Sequence, residues 1–462
     1  MPQSGRTLRQ IARDFREGRV SARALLEEAA ANHAKTESRL HAYKTWAGSQ
    51  AKSQAAAADQ LLETGVDFGP LMGIPVSVKD LFGVPGLPVF AGTKAPFPES
   101  WSQPGPVIRR LQGQLGIVTG KTHTVELAFG GLGTNAHWGA PVNPWSSPDA
   151  PRAPGGSSSG AGVSLVQGTA LLALGTDTAG SVRIPASFTG QVGLKTTHGR
   201  WSTDGIVPLS PSLDTPGLLC RSVDDLAFAF AAMDVHDSEP VAPLALHGLR
   251  IGIPQNVFWE DADDTIAEVT MTALRKLESA GARLVPLTLP GCDDALAVFR
   301  LGGLAAPELR AFLDRHFPER IGALDPVVRM RVEGAENVGA SEYLRRREVL
   351  AESGVRARQV FETCDVLMTP TVAISPPLLA DLEDPETYRH ANMMALRNTA
   401  IANLLGWCAM TLPAGLDGNA MPVGLQLMAP PMAEGRLIAT GLAAEAVLGK
   451  ADDMIGQARF LA

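Results

Sequence analysis

Three short segments carry reactive side chains on a backbone that could position them. The first is Gly73-Ile74-Pro75-Val76-Ser77-Val78-Lys79-Asp80, an apolar run that ends in a lysine. Such a lysine either snorkels its ammonium to water or is buried with it. Buried, it loses preference for the charged form and becomes a base near neutral pH. The second is Gly155-Gly156-Ser157-Ser158-Ser159-Gly160-Ala161-Gly162. Glycines on both sides of three serines let the backbone approach a ligand closely. A flexible serine–glycine loop is the plainer reading, but the helical run with Val163, Leu165 and Val166 follows at once and anchors it. The third, Gly175-Thr176-Asp177-Thr178-Ala179-Gly180-Ser181-Val182-Arg183-Ile184-Pro185, follows the strand-like run Ala170–Leu174. A tight turn after a core strand exposes successive N–H groups, a nest suited to a developing oxyanion. Ser181 ends that turn, where a nucleophile would stand.

Other chemistries compete for these residues. Gly156-Ser157-Ser158-Ser159-Gly160 matches the Gly-x-Ser-x-Gly nucleophile elbow, with Ser158 as nucleophile. An elbow needs a strand directly before it, and Pro148, Pro151 and Pro154 argue against one. A phosphate cradle would need Gly-Lys-Ser/Thr next, which is absent. Gly131-Leu132-Gly133 is a weak dinucleotide fingerprint with no clean strand before it. No histidines have metal-ligand spacing, so no metal and no cofactor is expected. Cys220, Cys292, Cys364 and Cys408 are scattered, which suits reduced thiols rather than zinc or a disulfide framework.

Elements must hold these segments in place. Thr7 and Ser21 are positioned to cap two helices, and a third runs through Ala47–Leu62. Ile74–Val78, Gly116–Val118, Leu171–Leu174, Val192–Leu194, Leu249–Ile253, Val366–Met368, Ala409–Leu412 and Val423–Leu427 read as buried strands. Helical patterns run over Asp264–Ala280 and most of 293–361. Strands alternating with helices predict an α/β sheet with helices on both faces. The expected organisation is an N-terminal helical layer (1–64), a core (65–250), a mostly helical insertion (251–362) and a C-terminal return to the core sheet (363–462).

Composition sets the outer limits. The 462 residues are 45% hydrophobic and 19% charged, with net charge −8. That suits a globular enzyme and supplies no basic field for nucleic acid or anionic lipid. Arg109–Arg110 and Arg345–Arg347 read as solvated helix faces. No secretory or membrane-length apolar segment is seen, so the expected place is the cytoplasm.

Together, in order and spacing, the three segments resemble the amidase signature family of serine hydrolases. The resemblance is strong over about residues 65–220 and looser over Pro422–Leu427. It implies a single large mixed, mostly parallel twisted sheet, covered by helices, with an inserted helical subdomain. It implies Ser181 as nucleophile, Ser157 after a cis peptide as proton relay, and Lys79 as ultimate base. The N–H groups of Thr178, Ala179, Gly180 and Ser181 would form the oxyanion hole, supported by Ser159 and Thr176. Asp177 and Arg183 would shape the turn. One departure is Ala179, where many members have glycine, since alanine restricts positive φ.

The substrate is less sharply drawn. Asn135–Gly139 and Gly199–Pro208 resemble the indoleacetamide and mandelamide hydrolase group. That favours a small aromatic or arylalkyl carboxamide, cleaved to acid and ammonia or amine. Phe129, Gly131, His137, Trp138 and Ile206 are the candidate pocket residues. An anilide, carbamate or urea amidase, a glutaminase-type component of a tRNA-dependent amidotransferase, and a non-catalytic binding protein on this fold are the alternatives. The expected partner is the small amide alone, with a homodimer as the assembly entertained.

Overall fold

The computed structural model describes residues 5–234, 236 and 241–460, and in them the apolar runs become strands of one eleven-stranded sheet. In chain order these are β1 (Tyr43–Trp46), β2 (Pro75–Lys79), β3 (Ile117–Thr122), β4 (Leu172–Asp177), β5 (Val192–Lys195), β6 (Thr215–Cys220), β7 (Arg250–Pro254), β8 (Arg283–Leu287), β9 (Val366–Pro370), β10 (Cys408–Leu416) and β11 (Pro422–Ala429). Across the open sheet the order is β1-β3-β2-β4-β6-β5-β10-β11-β9-β7-β8.

The mixed sheet under helices is as expected, but its parallel share is smaller than expected. β2 lies parallel between β3 and β4, and β7 lies parallel between β9 and β8. The other six junctions are antiparallel. The sequence reading erred because a buried antiparallel strand carries the same continuous apolar run as a parallel one. Hairpin returns such as β10 into β11 need only a short turn.

Two sets of helices cover the two faces. Met410 of β10 packs beneath Gly441 of the helix Glu434–Leu448, whereas its neighbour Thr411 lies with Ser187 on the other side. That alternation is the period-2 pattern of a strand buried on both faces. At the N-terminus, Thr7 and Gln10 form a reciprocal capping box on the helix Leu8–Arg16, and Ser21 caps Ala22–Leu40 through the Ala24 amide. Strands β7 and β8 extend the far edge of the sheet, and the helices between Cys292 and Arg358 follow them. Within that helical stretch the Arg345–Arg347 expectation needs correction. Arg345 and Arg347 are exposed, but Arg346 is buried, bonded to Glu342 at 2.8 Å and to the Gly303 carbonyl at 3.0 Å. Consecutive helical residues are turned about 100° apart, so one of three faces inward.

Candidate active site

The register of the sheet brings the chemistry together. β2 and β4 run parallel with Val78 opposite Leu174, so their C-terminal ends deliver Lys79 and Thr176 side by side. Lys79 Nζ lies 2.8 Å from Ser157 Oγ, 2.8 Å from Thr176 Oγ1 and 3.4 Å from the Thr176 carbonyl oxygen. The side chain is wholly buried, so it does not snorkel. Asp80, the next residue, is used elsewhere. Its carboxylate accepts from Lys121 Nζ at 2.8 Å and from the Phe90 and Ala91 amides. Lys79 is therefore left with hydroxyl and carbonyl neighbours. Burial pushes its amine down to about 7, against the opposing pull of Asp177 and Asp214. A neutral amine offers its lone pair to the Ser157 hydroxyl.

The serine loop turns through a cis peptide at Gly156–Ser157. Ser159 Oγ donates to the Ser157 carbonyl at 3.2 Å. Ser158 is buried at the start of the helix Ser159–Val166, and its hydroxyl donates to the Thr176 carbonyl at 3.3 Å. An elbow serine instead stands exposed after a strand, which Ser158 does not. The Ser158 amide donates to the Ser181 carbonyl at 3.2 Å, which ties the serine loop to the third segment.

That third segment is held from within by Asp177. Its carboxylate accepts the Gly180 amide at 2.7 Å and the Val182 amide at 3.1 Å, and it binds Arg183 at 3.1 and 3.0 Å. Burial alone would raise this carboxyl, but Arg183, Lys195 and Asn403 outweigh it and hold it down at about 2. Arg183 also donates to Gln426 and Asn403, each at 2.6 Å. The Asp177–Arg183 pair thus shapes the turn. Of the four residues expected to offer amides to an oxyanion, Gly180 donates its amide to Asp177, whereas Thr178, Ala179 and Ser181 border the cavity. Positive φ (134°) falls on Gly180 and not on Ala179, so alanine fits without strain. A Cβ on Gly180 would sit 2.1 Å from Thr399 Oγ1, whose hydroxyl donates to the Ala179 carbonyl at 2.7 Å.

Ser181 opens onto a cavity of about 450 Å³. Its floor is the Thr178–Ser181 turn, and its cover comes from the Phe299–Pro307, Met330–Val338 and Arg346 region. Of the five candidate pocket residues only Phe129 lines it. The Gly131 amide is bound to Asn392 Oδ1 at 2.8 Å, and Ile206 borders a separate void of about 40 Å³ behind Thr176. His137 is paired with Glu126 at 2.9 Å, and Trp138 packs against Phe90, His123 and Lys44. Asn135 turns their loop aside. Its side-chain amide donates to the Gly92 and Thr124 carbonyls, while its oxygen receives the His137 and Trp138 amides.

Sequence reasoning missed Asp214. β6 pairs antiparallel with β4, with Thr215 opposite Asp177, which sets Asp214 beside the turn. Its Oδ1 accepts the Thr178 hydroxyl at 2.5 Å, and its Oδ2 accepts the Leu209 and Ser210 amides, each at 2.9 Å. Burial raises its carboxyl to about 6. Glu308 of the cover accepts the Ser210 hydroxyl at 2.9 Å and so joins this loop to the helices above. Because β6 was not read as a strand, nothing in the sequence pointed to this residue.

A helix-covered mixed sheet, with a buried lysine bonded to one serine loop that is tied in turn to Ser181 at a cavity, points to a class of hydrolase. The family model for amidases matches residues 24–438, and the chain belongs to that family. It is accordingly an amide-hydrolysing enzyme. Among individual proteins it is 60% identical over 452 residues to 2-amino-5-chloromuconic acid deaminase of Comamonas testosteroni, spanning 97% of this chain and 98% of that one. It is 32% identical over 445 residues to a glutamyl-tRNA(Gln) amidotransferase subunit of Desulforudis audaxviator (strain MP104C), spanning 88% of each. A crystal structure of an amidase superposes with TM-score 0.85 at 30% identity, covering 96% of this chain and all of that one (100%).

Proposed function

We propose that this enzyme cleaves the C–N bond of a small carboxamide through an acyl-enzyme on Ser181. The observation that carries the reading is the 2.8 Å contact of the buried Lys79 Nζ with Ser157 Oγ, on a loop tied to Ser181. Neutral Lys79 takes the Ser157 proton as Ser157 takes that of Ser181. Ser181 Oγ then attacks the carbonyl carbon. The Thr178, Ala179 and Ser181 amides face the oxygen as it gains charge. The proton returns from Lys79 through Ser157 to the departing nitrogen, and ammonia or amine leaves. Water repeats the cycle on the ester and frees the acid. No histidine is needed, in contrast to a Ser-His-Asp site.

Phe129, Phe299, Leu209 and Leu396 give the cavity apolar walls that suit a flat acyl part, aromatic or arylalkyl. A second reading is deamination of a small unsaturated amino acid. The 60% identity to the chloromuconic acid deaminase favours it, and it too breaks a C–N bond and releases ammonia. We infer a cytoplasmic setting, supported by four buried free cysteines. Among the described residues no helix is long and apolar enough to cross a membrane.

The test is ammonia release by the purified chain alone, from benzamide, phenylacetamide and 2-aminomuconate. Turnover of either amide, lost in Ser181→Ala, supports the first reading, and turnover of 2-aminomuconate alone supports the second. Silence on all three, with glutamine hydrolysis appearing only when amidotransferase partner chains are added, would replace both.

A further inference from the structure

The charged side chains that line the cavity are all of one sign. Arg300, Arg331, Arg346 and Arg389 all line it, and no aspartate or glutamate among the described residues does. In a chain of net charge −8 this is the reverse of the average surface.

The four arginines are not equivalent. Arg346 is buried, faces Glu342, and clasps the Gly303 carbonyl, so it serves the cover itself. Arg389 is exposed and paired with Glu386. Among the described residues neither Arg300 nor Arg331 has a carboxylate within ion-pair distance. Arg331 is half-buried, and its guanidinium lies 5.1 Å from the Phe129 ring centre. One of its nitrogens donates to the Phe129 carbonyl at 2.8 Å. The backbone and the ring thereby orient the guanidinium at the cavity wall, facing the same space as Ser181. Arg300 ends the helix Cys292–Arg300 at the exposed rim.

We propose that Arg331, assisted by Arg300, is a carboxylate-recognition site, and that the substrates are small planar amides bearing a carboxylate rather than uncharged ones. The apolar walls hold the flat skeleton, and the guanidinium fork of Arg331 takes a carboxylate at the end remote from the C–N bond. A guanidinium presents several N–H donors in one plane, which matches a carboxylate in two parallel hydrogen bonds. A partly desolvated arginine without an acidic neighbour is a standing cost that an anionic ligand relieves. A second carboxylate, where present, meets Arg300 at the rim. This inference rests on the reading of Ser181 as nucleophile, since it places the carboxylate relative to that residue.

The test uses protection of Ser181. A small neutral fluorophosphonate reports serine reactivity in the full chain and in each variant, and muconate competes with it. Expected is protection by muconate and none by its dimethyl ester. Arg331→Gln should weaken muconate protection about ten- to a hundredfold, the range for a charge-assisted hydrogen bond. Arg331→Lys, which keeps charge without the fork, should fall between. Arg300→Gln should weaken protection a few-fold, and its exposed side chain makes it the variant that cannot act through misfolding. Equal protection by diacid and diester, or unchanged protection in both glutamine variants, overturns the proposal. Absence of labelling at Ser181 in the unmodified chain would instead sink the serine reading. Muconate binding by calorimetry, with and without Arg331, then decides the arginine question independently.

Discussion

Beneath the floor of the cavity, and counted with it, Lys79, Asp177 and Arg183 are wholly buried, and each is fixed by neighbours from several strands and helices. In the cover, Leu301 and Met330 are each 59% exposed, and Gly302 and Gly303 take positive φ of 94° and 59° with little packed around them. The floor is a preorganised polar network in a low-dielectric interior, where each member depends on the others. The cover is a set of short helices and turns whose residues meet the cavity singly. The difference separates two tasks. In the proposed mechanism, proton transfer and oxyanion binding need positions fixed to a fraction of an ångström, and they fall to the floor. Choice of acyl group, which needs only shape and charge, is the task we propose for the cover.

The comparison breaks most decisively at Lys79. Lys79→Ala should lower kcat/KM by about 10²- to 10⁴-fold, as expected for loss of a positioned general base. Circular dichroism should show the fold intact. A rate within a few-fold of the parent would remove Lys79 from the mechanism.

The next effect is on stability. Asp177→Asn or Arg183→Met alone leaves a buried partner uncompensated, and should cost about 3–5 kcal/mol in denaturant unfolding. Replacing both should cost less than the sum of the two. Strict additivity would mean that the pair does not act as a unit.

Asp214→Asn sharpens the comparison from the edge of the floor. Its charge raises the Lys79 amine, so removing it should let the amine titrate at a lower pH. The acid limb of kcat/KM, expected near pH 7, should move downward. Loosening of the Thr178 hydroxyl should lower kcat about tenfold, the scale of one hydrogen bond at an oxyanion site's edge. A limb that moves upward contradicts the electrostatic assignment.

The smallest effect belongs to the cover. Met330→Ala should change stability by no more than about 0.5 kcal/mol, as an exposed substitution. It should shift KM for bulky acyl groups a few-fold while leaving the pH limb in place. A moved limb would show that floor and cover are not separable.

The same contrast governs what the sequence disclosed. The meeting of Lys79 with Ser157, and the tie from that loop to Ser181, were legible because the three segments stand in a distinctive order and spacing, and β2, β4 and the serine loop could be read around them. The helix caps at Thr7 and Ser21 were legible because capping is local. Asp214 was not, because its position depends on β6, whose Pro216 and Gly217 hide a strand that pairing with β4 makes. His137 and Trp138 were misplaced because the side chain of Asn135 turns their loop, and composition carries no trace of that. Arg331 lay unread in a helix whose burial is decided by packing between distant segments.

The central claim is that buried Lys79 activates Ser181 through Ser157. It is tested most directly by the rate of fluorophosphonate acylation as a function of pH, with the adduct located by mass spectrometry. The account predicts an adduct on Ser181 that forms faster as pH rises through about 7, where Lys79 gives up its proton. It also predicts that Lys79→Ala abolishes that rise. An adduct on Ser158, or a pH-independent rate across this range in the unmodified enzyme, would contradict it.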